Sequence, residues 1–594
     1  MGTDSRRTGY WDSTLRARHS RRTVIRGAGV GAVGIGSLSL VGCGDDDSPD
    51  TPNLDVKPAS GAPAASTTPD PFAGANRGGT FATSITSDPP TLDPYVNPAT
   101  NTKLFAAHVY SRLFKYKGGP GIAAADATVT GDLAASAEAS PDGLQWVVKL
   151  RPNATFHNVA PVNGRKVTTA DVKFSWERAT GPKGINKAGF DFVTKIEYPD
   201  AETVRFTLKE PNAAFLDVLA DMNLLWIQPT EADGKFDTAT TAIGSGPWLF
   251  DRYIASQSIS FKRNPNWYEN GFPLLDATVV NIIPAYANSL AQFQAGSLDT
   301  FGPTASDLID LRKQSAATQL LSDMAISMYQ FYFDKNTPNA PWQDERVRQA
   351  MSMALDRDGL FDLAYNVKKL QGAGLTIPVL YNNIVPAAFP KQWLNPIGPE
   401  AGETAKFFKF DVAEAKKLLS AAGYPDGFAT TYQYTGNGYG SLHNAIAEAS
   451  QGMLTALGIK ATVEVQDYNA KYYTQTYRGN FTGIAFGPES SFNDAGSYPI
   501  RLFTTNTLNK GTDKDDKLSS MAFAQQREMN PEKRNQLLRD IQKYHATKMY
   551  VVPSALGGGP TWTAVLPNVR NVDNFRSRIS YGYGAESSPY YWKA

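Results

Sequence analysis

One cysteine, Cys43, is all the chain contains. That excludes a disulfide within the chain and any cysteine-based metal or nucleophile site. Histidine is scarce as well: His19, His108, His157, His443 and His545 are scattered, with no i, i+4 pair and no H-E-x-x-H, so a zinc site has no local support. Each reads as an ordinary surface or core histidine. Long apolar runs are missing too; the stretch from Gly27 to Gly42 falls short of the ~20 residues that cross a bilayer. Past residue 42 no basic run interleaved with aromatics occurs, and no nucleic-acid partner is expected. The formal charge is +1, but residues 1–42 carry seven Arg against Asp4 and Asp12, leaving about −4 for the rest. There is no G-x-S-x-G elbow to support a secreted hydrolase. Gly29, Gly31 and Gly34 do match G-x-G-x-x-G, yet so glycine-rich a stretch makes a poor helix and supplies no strand–turn–helix frame for a dinucleotide. No cofactor and no enzymatic activity are therefore expected.

What the N-terminus has is an address. The paired Arg21 and Arg22, a weakly apolar glycine-rich stretch and then Leu40-Val41-Gly42-Cys43 describe a secretory signal with the twin-arginine mark of bacterial export. The last four residues resemble a lipoprotein cleavage box, in which Cys43 takes the lipid and heads the mature chain. Residues 43–76, rich in Pro, Ala, Ser, Thr and Asp, read as a flexible tether. The expected location is extracytoplasmic, periplasm or cell surface, with a lipid-held membrane attachment.

At 594 residues the remainder needs more than one core. Its grammar is mixed α/β. A turn at Pro141-Asp142-Gly143 precedes a strand over Leu144 to Leu150. Thr168 and Asp171 are spaced as a capping box for a helix carrying Val172 and Trp176. Val347, Ala350, Met351, Ala354 and Leu355 share one face of a helix expected over 343–356. Asp411 reads as an N-cap and Gly423 as a stop, while Ile446, Ala449, Met453, Leu454 and Leu457 form another helical face closed by Gly458. Strict alternation at Ile459, Ala461, Val463 and Val465 predicts a strand.

Several segments together resemble the extracellular solute-binding proteins of ATP-driven (ABC) importers, of the large peptide, dipeptide and nickel type known as family 5. They are Gly78-Gly79-Thr80-Phe81 with Asp88-Pro89-Pro90-Thr91-Leu92-Asp93-Pro94; Lys149 to His157; Thr169 to Arg178; Gly244-Ser245-Gly246-Pro247-Trp248; Gln294 to Asp299; and Arg346 to Ala350 with Ala354 to Arg357. The resemblance implies a two-lobed periplasmic-binding-protein-like α/β fold (type II) with an additional α/β domain inserted in lobe I. Lobe I would comprise 77–115, 240–325 and 550–594, the extra domain 116–239, and lobe II 326–549, with crossings near Ala325 to Asp334 and Val551 to Pro553. It also implies capture of a small solute, oligopeptide or other, by a monomer that delivers it to an ABC permease. A ligand-presenting surface receptor using the same fold is the alternative.

Residues 483–494 resemble the family stretch in which an aromatic residue and an acid face the ligand, the acid holding a peptide's ammonium. Phe486, Glu489, Ser490 and Asp494 are the candidates here, the first three standing where the family has W-x-x-D-Y and Asp494-Ala495 where it has a later Asp-Pro, a departure that weighs against a peptide. Glu489 is either an ammonium partner or an exposed loop carboxylate. Trp562, Ser245, Tyr329 and Phe331 are further ligand candidates. The alternation of Tyr329, Phe331 and Phe333 equally fits a half-buried strand, and Ser245 between two glycines equally fits a tight turn. No metal site is expected.

Overall fold

The computed structural model describes residues 70–594 except 98, 183, 490–492, 507–508, 556, 558 and 577–585. The export segment, the Gly29–Gly34 motif, Cys43 and most of the expected tether lie outside these residues. The tether's end does not: Phe72 sets its ring against Phe272 at 5.1 Å and Phe575 at 5.6 Å, so an aromatic anchor ends the Pro/Ala/Ser composition that suggested a mobile linker.

Three sheets carry the architecture. A four-stranded sheet pairs Thr80–Ile85 parallel to Ala277–Ile282, followed by Ser258–Arg263 and Trp248–Ile254. A second four-stranded sheet, entirely antiparallel, runs Ala134–Ala139, Gln145–Leu150, Thr203–Leu208, Val193–Glu197 and packs beside helix Thr169–Thr180. This is the additional domain, entered from and returning to the first sheet's lobe. The capping box forms as its spacing requires, with Thr168 and Asp171 each satisfying a backbone N–H of the helix start. The other lobe is built on five strands in the order Lys460–Gln466, Ala429–Thr435, Ile484–Glu489, Met328–Phe333, Val551–Pro553.

Helix Glu345–Met353 is shorter than its periodicity suggested, because Asp344 caps it with a bond from the Arg346 N–H and Arg357 begins a new helix. Its apolar face is nevertheless buried as expected: Val347, Ala350, Met351, Ala354 and Leu355 are enclosed. Asp411 accepts from the Glu414 N–H as the N-cap of Val412–Ala421. The alternation at 459–465 does form a strand, Lys460–Gln466. Its strand is the sheet's edge, and Val463 and Val465 are 44% and 57% exposed. The Tyr329, Phe331 and Phe333 alternation belongs to a central strand buried on both faces, since Gln330 and Tyr332 are enclosed as well.

The chain passes from the small sheet Thr300–Phe301, Pro560–Val565, Gln319–Met324 into the five-stranded sheet through residues 325–327. After Val551–Pro553 have joined the sheet, it returns by way of Ser554 and Gly557 to the small sheet at Pro560. The two passages lie side by side. Met324 pairs with Pro560 on one side, and the Ser554 N–H donates to Tyr329 O at 2.8 Å on the other. Gly557, at φ +87°, fits between them; a Cβ there would stand 2.1 Å from Ser327 O.

Candidate functional site

Strands Met328–Phe333 and Ile484–Glu489 are antiparallel, with Met328 opposite Glu489 and Tyr329 opposite Pro488. The start of one and the end of the other therefore open at the same margin of the five-stranded sheet. A cavity of about 860 Å³ begins there. Tyr329, Tyr439, Tyr477, Pro488, Glu489 and Arg501 line it from this lobe, and Lys103, Val218, Asp221, Asn223 and Leu224 face them from the other. A concave site of this size, lined by tyrosine rings and apolar side chains together with charged and amide groups of both lobes, suits a small polar molecule.

Glu489 is fully enclosed, so it is a strand-end carboxylate and not an exposed loop acid. Arg501 Nε lies 2.5 Å from Glu489 Oε1, Lys510 Nζ lies 3.2 Å from Oε2, and the Tyr332 hydroxyl donates to Oε2 at 3.2 Å. Lys510 is itself 1% exposed and sits 3.8 Å above the Tyr477 ring. Burial draws its pKa down to about 8, with the Arg501 charge adding to that and Glu489 opposing it. At neutral pH it still carries its proton. Asp494 also lines the cavity and is held by Arg534 at 2.8 Å. Close to them on helix Phe215–Ala220, burial and the Asp494 charge push the Asp217 carboxyl well above the usual range.

The structure thus brings Tyr329, Glu489 and Asp494 together on the cavity wall. It sets other candidates apart. Phe486 and Phe331 are fully buried and pack on each other at 5.7 Å, with Phe486 stacked on His443 behind the wall. Trp562 pairs opposite Ser322 and packs against Tyr365, away from the lining. Ser245 is buried because Gly244 approaches Val109 O so closely that a Cβ would fall 2.0 Å from it. Ser490 lies outside the described residues.

Pattern reading missed Arg501, Lys510, Tyr439, Tyr477, Lys103 and Asp221. Arg501 had one available signal, being the sole cation of the otherwise apolar helix Ser497–Phe503. The remaining five come from loops, from the short helix Thr476–Arg478 or from the facing lobe, and no local spacing ties them to Glu489. Two contacts bridge the cavity's rim: Arg527 pairs with Glu210 at 2.6 Å, and the Ala213 N–H donates to Gln526 O at 2.8 Å. The ion pair is substantially exposed and worth at most ~1 kcal/mol. Among the described residues no group of His, Cys, Asp and Glu could hold a metal ion, and no helix is long and apolar enough to cross a membrane.

Comparison with known proteins agrees with this geometry. The family described as bacterial extracellular solute-binding proteins, family 5 Middle, matches residues 128–510. Heme-binding protein A of Haemophilus influenzae is 27% identical over 433 residues, covering 69% of this chain and 74% of its own. Glutathione-binding protein GsiB of Salmonella typhi is 27% identical over 381 residues, covering 64% of this chain and 67% of its own. Among solved structures, the binding protein AgaA from A. tumefaciens R10 with agropinic acid superposes with a TM-score of 0.67 at 24% identity, over 87% of this chain and 99% of that one. DppA of Helicobacter pylori with the peptide STSA gives 0.68 at 21%, over 87% and 98%.

Proposed function

Because the chain belongs to the bacterial extracellular solute-binding proteins of family 5, we propose that it captures a small solute between its two lobes outside the cytoplasm and delivers it to an ABC import permease. The observation that carries this reading is the cavity of about 860 Å³ walled by side chains from both lobes. A solute seated there touches both walls, so its binding energy favours the closed arrangement, which is the state a transporter can recognise. The named relatives bind haem, glutathione, agropinic acid and a peptide. Such breadth fits a family in which the lobes are kept and the lining changes.

A thermal-shift panel of peptides, sugars, organic acids and metal chelates tests it. At 100-fold excess over Kd a true ligand adds ~2.7 kcal/mol to folding stability and raises the melting temperature measurably. A panel with no stabilising compound, or a hit that the protein converts chemically, would remove the solute-capture reading.

We further propose that residues 1–42 direct twin-arginine export and that lipid on Cys43 holds the mature protein at the membrane. Cys43→Ala should move it from the membrane pellet to the soluble fraction, and replacing Arg21 and Arg22 with Lys should stop export. Unchanged fractionation of Cys43→Ala would remove the anchor.

A further inference from the structure

The charged side chains on the cavity wall, among the described residues, are Lys103, Asp221, Glu489, Asp494, Arg501 and Arg534, three of each sign. They do not pair off evenly. Asp494 and Arg534 satisfy each other at 2.8 Å. Lys103 donates to Asn223 Oδ1 at 2.5 Å, with Asp221 as its nearest acid. Glu489 is left to serve Arg501 and, behind the wall, Lys510. The one remaining acid close by, Asp217, is pushed towards its protonated form. The residues adjoining this cluster in sequence that lack a structural description, 490–492 and 507–508, are Ser, Ser, Phe, Thr and Leu, and they add no carboxylate.

Two cations thus share one carboxylate, and the cluster is enclosed: the Glu489, Arg501 and Lys510 side chains are 0%, 13% and 1% exposed. A buried cation that shares its carboxylate with a second cation is stabilised further by an added anion. Of the three, Arg501 is the group that reaches the cavity lining, and a guanidinium suits carboxylate and phosphate oxygens. The Glu489 carboxylate cannot act as a receptor for an ammonium group in this setting. Its oxygens already face two cations and the Tyr332 hydroxyl. The Tyr329, Tyr439 and Tyr477 rings on the same wall offer apolar surface next to the charge.

Resting on the solute-capture reading, we infer that the ligand of this cavity carries an oxyanion, seated at Arg501 beside the tyrosine wall, and that Glu489 is the counter-charge that builds this seat and not the acid that binds an amine.

The test is a charge-sorted panel run on the whole mature protein by native mass spectrometry and calorimetry. Its arms are N-acetylated tripeptides with a free C-terminus, the same tripeptides as C-terminal amides with a free N-terminus, sugar phosphates, neutral disaccharides and aliphatic diamines. Hits should fall in the acetylated-acid or phosphate arms, which also separates carboxylate from phosphate. For such a hit, Arg501→Gln should weaken binding by about 10–100-fold, the equivalent of losing a charge-assisted hydrogen bond, and Arg501→Lys should recover part of it. Hits confined to the amide, diamine or disaccharide arms overturn the inference while leaving solute capture standing. So does an anionic hit that Arg501→Gln leaves unchanged in a folded protein. A panel empty in every arm removes solute capture and this inference with it. The wild-type pattern decides the matter even where Arg501→Gln does not fold.

Discussion

Glu489→Gln is expected to cost about 3–5 kcal/mol of folding stability at pH 7, although the substitution is nearly isosteric. The reason lies in what it leaves behind. The carboxylate is fully buried, and removing its charge strands Arg501 and Lys510 in a low-dielectric setting with only a neutral amide between them. Urea denaturation followed by fluorescence should show the midpoint falling sharply. Adding Lys510→Met to the same chain should recover part of the loss, because one of the two cations is then gone; the coupling between the two substitutions measures their interaction. Glu464→Gln provides the contrast. Glu464 pairs with Lys471, but both are well exposed, so its change should stay within ~0.5 kcal/mol. Equal small effects for Glu489→Gln and Glu464→Gln would contradict the buried ion cluster.

Acid should unfold the protein well before its carboxylates titrate. His108, His157, His443 and His545 are all buried, and burial lowers their pKa from 6.5 to about 4, 4, 4 and 3 respectively. The geometry requires neutral rings at two of them. The Gly244 N–H donates to His157 Nδ1 at 3.3 Å while His157 Nε2 donates to Gly246 O at 3.1 Å, and the Val551 N–H donates to His545 Nε2 at 3.3 Å. A second proton on either ring removes the acceptor it uses. Each folded-state pKa is depressed, so the unfolded chain binds more protons between pH 6.5 and about 4. Stability is therefore complete above pH 6.5 and falls as pH drops through that window. Several groups acting together make the slope steep. The urea midpoint measured at steps from pH 7 to 4 should decline continuously, and His157→Gln should flatten the decline while lowering stability at pH 7. A midpoint flat down to pH 4.5 would contradict buried neutral histidines.

Local structure and family membership were legible in the sequence wherever a short pattern decided them. The capping pair Thr168 and Asp171, the N-cap Asp411 and the buried face from Val347 to Leu355 each depend on residues within a few positions of one another. Edge against centre was not legible. Val463 and Val465 alternate like a packed strand but end on the sheet's rim, while Tyr329 to Phe333 alternate and are covered on both faces, because strand order is set by long-range pairing. The site shows the same division. Glu489 was found by its motif, yet its chemistry depends on Arg501, twelve residues away, and Lys510, twenty-one away, and the opposite wall comes from helices around residues 103 and 218.

The two chain passages that lie side by side between Met324 and Met328 and between Pro553 and Pro560 have a thermodynamic consequence. A single strand joining two bodies would let them swivel about several axes. Two adjacent crossings, bonded at Ser554 to Tyr329 and at Thr561 to Asp323, would favour rotation about one axis over the others. In the proposed capture cycle, the open state would then be a narrow arc of arrangements and not a broad cloud, leaving little rotational freedom to be lost when the lobes meet. More of each contact made by a captured solute would then appear as affinity.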